Sequence, residues 1–266
     1  MTIATVDDIA AGLAIAQRQW FFKNITNPKA AGAYESAWLA TGQPGAGAAP
    51  PAYTAGSGYT TSRTTTGALT YANGAVQNYL ARLFAHYAQL GSLIIADRLW
   101  SCGGMGFAAS TYTVTTPGSL PARITDNGVA CELWVEQFAA AGAASGTLTV
   151  NYVEPGGGAR AGIIPAVVSA PVIGQMQPVP RQAGSVGVQS LTSCVNSATW
   201  TSGSWGMTIL KRLAEIEFVA QNVGKTSDWA SLGLPPIPAD ACLMFIICAQ
   251  GSTGGILQGR ATIIDK

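Results

Sequence analysis

Residues 147–153 read TLTVNYV and run into EPGGG at 154–158. Leu148, Val150 and Tyr152 fall on one side of an extended chain, and Thr147, Thr149 and Asn151 on the other. Successive side chains of a strand point to opposite faces, so this alternation predicts a half-buried strand. The glycines and proline that follow close it as a turn. Residues 131–138, CELWVEQF, follow Asp126-Asn127-Gly128 and suit a second such strand. Further candidates lie at 92–101, 112–116, 163–168, 186–194, 241–249 and 256–264, with turn residues between them. Many short strands separated by turns predict a mainly β chain, a jelly-roll-like antiparallel β-sandwich.

The amino-terminal part reads differently. Thr5 followed by Asp8 fits a helix cap with an acidic residue three positions on. Ile9, Leu13, Ala16 and Trp20 then recur at spacings of four, three and four, a single helical stripe. Trp20, Phe21 and Phe22 form an aromatic cluster at its end, and Asn27-Pro28 is a stop. Residues 41–74 are biased to Gly, Ala, Pro, Thr and Ser, and predict an extended Gly/Ala/Pro-rich arm. The expected organisation is a short helix and arm over 1–75 and a β-sandwich domain over 76–266.

Two segments carry conflicting signals. Val76, Leu80, Leu83 and Tyr87 share a helical stripe, as do Ile209, Leu213, Ile216 and Ala220. Periodicity alone favours helix in both, yet in a β context such runs can be bulged strands.

The 266 residues are 48% hydrophobic and only 10% charged, against about 25% charged in an average domain. Such a chain is neither a charged disordered polymer nor a coiled coil. With 14 Lys+Arg against 13 Asp+Glu it shows no basic footprint for nucleic acid or anionic lipid. The longest clean apolar run, ACLMFIICA at 241–249, is far shorter than the roughly 20 residues of a spanning helix. The opening MTIATVDDIA is acidic where a signal peptide is basic. No nucleic-acid partner and no membrane association are expected.

Catalytic and metal signals are weak. The cysteines are Cys102, Cys131, Cys194, Cys242 and Cys248, an odd number without disulfide or zinc spacing. Cys242 and Cys248 sit about 20 Å apart along a strand, too far to share a metal or a disulfide. All five are read as small buried hydrophobes. His86 is the one histidine, within an apolar run, so a Ser–His–Asp triad would have to use it. Gly224-Lys225-Thr226 lacks the earlier glycine of a phosphate loop and is read as a turn. Glu132 with Glu136, or Glu215 with Glu217, are carboxylate pairs of the kind that flank a glycosidic bond, but ordinary solvated or paired charges are the favoured reading. No catalytic residue, cofactor or metal is expected.

The stretches IIADRLWSCGGMGF (94–107), TLTVNYVEPGGGARAG (147–162) and QAGSVGVQSLTSCVNSATWTSG (182–203), with the MTILKRLAEIEF run and the opening TIATVDDIAAGLAIAQRQ, resemble segments of virion structural proteins of tailed bacteriophages. The resemblance covers most of the chain. It implies a capsid-associated protein built on a jelly-roll-like β domain, and it favours strand for 207–220 and 78–87. Cys102 stands where that pattern has a more polar residue, and the stretch around Ser185 and Val188 lacks its acidic residue.

The expectation is a non-enzymatic structural protein of a bacteriophage virion, a capsid decoration or minor capsid protein that stabilises the shell through subunit contacts. Its partners would be other copies of itself, as a trimer, and the major capsid protein. It would assemble into the virion in the bacterial host cytoplasm. Trp20, Phe21 and Phe22 are the interface candidates. The alternatives are a tail, collar or baseplate component, a jelly-roll carbohydrate-binding module using Trp200, Trp205 and Trp229, and, last, a glycosidase using Glu132 and Glu136.

Overall fold

The computed structural model describes residues 3–26, 30–74, 76–106, 108–114, 120–143, 146–197, 199–200 and 202–265. In chain order the elements are α1 (Val6–Ala14), β1 (Gln17–Ile25), β2 (Tyr34–Ser36), β3 (Thr41–Gln43), β4 (Asn78–Tyr87), β5 (Gly91–Met105), β6 (Ser110–Thr113), β7 (Cys131–Ala139) and β8 (Leu148–Val153). They continue with β9 (Ala159–Ile164), β10 (Gln175–Pro178), β11 (Ser190–Asn196), β12 (Ser204–Phe218), β13 (Lys225–Asp228), α2 (Trp229–Leu232), β14 (Pro236–Ile237), β15 (Leu243–Ala249) and β16 (Gly255–Asp265). The chain is mainly β, with antiparallel sheets and a short amino-terminal helix, as the alternation at 147–153 predicts.

The chain forms two compact units. One comprises Met1–Ala48, Ser62–Asp97 and Leu213–Lys266, and the other Ala49–Thr61 and Arg98–Arg212. Two of the boundaries fall inside the long strands β5 and β12 and two within 41–74, so the division is not the one expected at residue 75. The 1–75 segment is no appendage. Its strand β1 pairs with β16 over nine residues, from Gln17↔Ile263 to Ile25↔Gly255.

In the first unit, one sheet runs β13-β4-β16-β1-β3, with β14 also paired to β4. The facing layer is β2, β15 and the early half of β5, with the late half of β12. Phe21, Ile25, Leu83 and Ile263 from the first layer meet Leu93, Ile95, Phe245 and Ile216 from the second in one core. The two layers pack as a β-sandwich, and the strands of the second layer also belong to a closed barrel, β10-β2-β15-β5-β12-β7. In the second unit the sheet β6-β11-β8-β9 opposes β7, β10 and the remaining halves of β5 and β12. Val150, Tyr152, Leu191 and Cys194 there pack with Trp100, Cys102, Leu133 and Met207.

The predicted capping box is present: Thr5 Oγ1 accepts from the Asp8 amide at 3.2 Å and the Asp8 carboxylate accepts from the Thr5 amide at 3.1 Å. The helix, however, ends at Ala14, so the stripe does not continue through Ala16 to Trp20. From Gln17 the burial alternates with every second residue, and nine residues of cross-strand pairing outweigh the weak helical preference of a short segment.

Both ambiguous segments are strands. In β4 the register with β16 slips between Thr262↔Arg82 and Ile263↔Leu80. The extra residue, Ala81, lets Leu80 and Leu83 enter the same core three positions apart, which imitates a helix. In β12 the imitation has another origin. Met207 and Ile209 face the second core, whereas Ala214, Ile216 and Phe218 face the first. The buried parity switches where the strand passes between units.

The 41–74 segment is irregular but not a free arm. Tyr59, Ala68, Leu69 and Tyr71 are buried, and Trp38 donates its indole N–H to Ala48 O at 2.9 Å. A Cβ on Gly47 would collide with the Trp38 ring, which is why small residues are needed there. Three strands are displaced from expectation: 163–168 becomes Ala159–Ile164, 186–194 becomes Ser190–Asn196, and 112–116 becomes Ser110–Thr113 with 115–116 outside the described residues.

Candidate functional site

Strand alternation splits the Trp20-Phe21-Phe22 cluster. Phe21 points into the first core at 2% exposure and stacks on Phe245 with ring centroids 4.3 Å apart. It cannot anchor a partner. Trp20 is 62% and Phe22 39% exposed on the outer side of the same sheet. Directly opposed residues of an antiparallel pair share a face. The register therefore sets Trp20 beside Arg260, Phe22 beside Gln258 and Asn24 beside Ile256. The Arg260 guanidinium lies 5.2 Å from the Trp20 ring centroid, in cation–π geometry.

On the other flank of β16, Arg260 opposes Phe84, Gln258 opposes His86 and Thr262 opposes Arg82. Arg18 and Arg82 are exposed. This face therefore combines the exposed apolar groups of Trp20, Phe22 and Ile256 with three arginines. Asp228, across from Arg82 on β13, is held by α2: its Oδ1 accepts from the Ser231 amide at 3.1 Å. That bond, with the one from the Ser231 hydroxyl, pulls its carboxyl below the ordinary value. Sequence reasoning found Trp20 and Phe22 but missed Arg260 and Ile256. Alternation along 255–265 signals a strand, but only the β1–β16 register places Arg260 beside Trp20 and Ile256 beside Asn24.

Inward from this face lies a buried cation. Lys23 is 1% exposed, and its ammonium donates to Ala40 O at 3.1 Å and Gly45 O at 3.2 Å. Burial pushes its pKa down from 10.5 to about 8. The lysine ties the β3 turn to β1, a structural task.

The other candidates are dispersed. Trp200 and Trp205 are buried at 7% and 3%, and Trp205 donates its indole N–H to Gly106 O at 2.6 Å. Both line a cavity of about 30 Å³, room for a water or so and far too small for a sugar ring. Trp229 belongs to the other unit and packs beside Ile9 and Ile264. The exposed aromatic platform that glycan recognition requires is not assembled by these three. Glu132 accepts from Trp134 Nε1 at 2.9 Å and pairs with Arg212 at 3.2 Å. Glu136 is fully buried against Arg98 at 2.7 Å. Glu132 borders a depression of about 230 Å³ together with Arg181 and Arg212, but Glu136 is closed off from solvent, so the two carboxylates do not flank one cleft as a glycosidase pair would. His86 is half-buried, its Nδ1 lacking a hydrogen-bond partner among the described residues. Lys225 and Thr226 open β13, so the Gly-Lys-Thr run is a strand start, not a turn.

Cys102, Cys131, Cys194 and Cys242 are buried free thiols, and Cys248 is half-buried. Burial pushes the Cys102 thiol up to about 12. Among the described residues no group of three or more His, Cys, Asp or Glu side chains could hold a metal ion.

No protein-family profile matches the chain. No curated protein matches it either. Among solved structures, one of the Gx strain of infectious bursal disease virus is similar at 11% identity, over 98% of this chain and 87% of that one, with a TM-score of 0.21. The VP2 subviral particle of the same virus is similar at 8% identity, over 98% and 86%, with a TM-score of 0.23. Similarity at that level of identity and TM-score sets no family.

Proposed function

We propose that this chain is a non-enzymatic structural subunit of a virus particle. The observation that carries the reading is the outer face of β1, β16 and β4. There Trp20, Phe22 and Ile256 stand exposed among Arg18, Arg82 and Arg260 instead of being folded into the core. Exposed aromatics beside arginine are the composition of protein interfaces. The finer reading is a capsid decoration or minor capsid protein of a tailed bacteriophage, with copies of itself and the major capsid protein as partners. The resemblance of 94–107, 147–162 and 182–203 to that family supports it. In that role Trp20 and Phe22 are the anchors, and Phe21 holds their strand in place from the core.

The test is retention on particles. Purified virions carrying a tagged chain are washed in high salt and their protein content is measured by mass spectrometry. The subunit stays with the wild-type particle at fixed stoichiometry and is lost with Trp20→Asp. Equal loss of the wild-type chain in the wash overturns the reading.

A further inference from the structure

Resting on that structural-subunit reading, we infer that the two outer sides of the first unit are complementary halves of a head-to-tail contact between copies of this chain. In β1, Phe21 and Ile25 enter the core between the layers, so Trp20, Phe22 and Asn24 point away from it. In β12, Ala214, Ile216 and Phe218 enter the same core from the opposing layer, so Glu215 and Glu217 point away on that side. The two sets thus lie on opposite sides of the two packed layers; the second side, where β15, β5 and β12 close into the barrel, is buried at Ile94, Ala96, Met244 and Ile246 and open at Glu215 and Glu217.

Their chemistry is opposite as well. The first side carries Arg18, Arg82 and Arg260 around Trp20. On the second side Glu215 and Glu217 border a depression of about 310 Å³ lined also by Leu90, Val219 and Cys248. Val219 is 74% exposed and Leu90 39%. The Cys248 thiol is pushed up by burial and then by the Glu215 charge, a sign that this pocket is electronegative. Arg260 Nε is buried without a hydrogen-bond partner among the described residues, while its guanidinium is held over Trp20.

One chain therefore carries a cationic aromatic knob and an acidic apolar hollow on opposing sides. The occupant that fits both is a second copy. Trp20 enters the hollow, and Arg260 meets Glu215 or Glu217 in charge-assisted hydrogen bonds. Such a contact is heterologous: each copy uses its knob on one neighbour and its hollow on another, so the contact repeats into a ring or a lattice.

A charge-swap mixture of the full-length chain tests this by sedimentation velocity at low salt. The wild type associates with rising concentration, and added salt weakens it. Arg260→Glu sets like charges against each other in every homotypic contact, as does Glu217→Arg, and each alone associates about tenfold or more weakly than wild type. Mixed, the two variants associate again, because every contact between unlike copies pairs opposite charges. Circular dichroism confirms that each variant is folded, and Arg18→Glu with Glu215→Arg is the second pair should one fail. A wild type that stays monomeric, an Arg260→Glu variant that associates like wild type, or a mixture no more associated than its components overturns the contact. Failure here with retention on virions intact removes the self-contact and leaves the structural role. Alternating association in a chain that washes off virions does the reverse.

Discussion

Nη1 of Arg98 lies 2.7 Å from Oε2 of Glu136, with the two side chains at 1% and 0% exposure. Thr208 Oγ1 donates to the same oxygen at 2.6 Å. The Arg98 carbonyl is in turn held by Arg123 Nη2 at 3.1 Å and by the Thr61 hydroxyl. One residue earlier, Asp97 Oδ1 accepts from the Cys242 amide at 2.8 Å. The Asp-Arg-Leu-Trp run of β5 thus buries two charges in succession, Asp97 held by the Cys242 amide and Arg98 paired with Glu136, before Leu99 and Trp100 enter the second core.

Breaking that pair from one side leaves a buried charge. Glu136→Ala costs about 3–5 kcal/mol of stability, and Arg98→Met a similar amount. The double variant Arg98→Met with Glu136→Leu loses less than the sum, because no uncompensated charge remains. Urea unfolding of the three variants measures this. Strictly additive losses contradict it.

Alternation in β1 makes a sharp contrast between neighbours. Phe21→Ala removes a buried ring and costs about 3–5 kcal/mol. Trp20→Ala removes an exposed one and stays within about 0.5 kcal/mol apart from its stacking with Arg260. Thermal denaturation of the two variants side by side checks the register.

Much of this fold was legible in local sequence, and the exceptions have a physical cause. The strand at 147–153 was readable because one face is buried and the other wet, so the period of two is clean. Ala81 and the crossing of β12 between cores break that period, and a broken period of two reads as a helical one. The helix stripe through Ala16 and Trp20 failed because non-local pairing with β16 decides where α1 ends. Trp20 and Phe22 were visible as aromatics. Arg260 and Ile256, which join them on this face, come from sequence more than 200 residues away and are set by register alone.

Lys23 gives the stability a pH signature. Its pKa is about 8 when folded against 10.5 ordinarily. Between those values the unfolded chain binds the proton and the folded chain does not, so this residue raises stability as pH climbs from about 8 towards 10.5. Cys102, raised to about 12, acts in the opposite sense above its ordinary 9.0. The comparison is therefore wild type against Lys23→Met. The wild-type midpoint gains on the variant over that window. Parallel pH profiles contradict the assignment.

Close strand contact fixes another position. Gly206 of β12 lies so near Cys102 O that a Cβ would collide with the backbone. Gly206→Ala forces the strands apart and costs more than the usual 0.5–3 kcal/mol range is centred on, about 2 kcal/mol or above. Chemical denaturation reads it directly. A neutral effect shows that the strands can separate at no cost.

The central claim, a particle subunit acting through its exposed aromatic face, is tested most directly by adding tagged, purified chain to particles that lack it and imaging them by electron microscopy. The account predicts density repeating over the shell with wild-type protein and none with Trp20→Asp. Particles left bare by the wild type, or decorated equally by the variant, would contradict it.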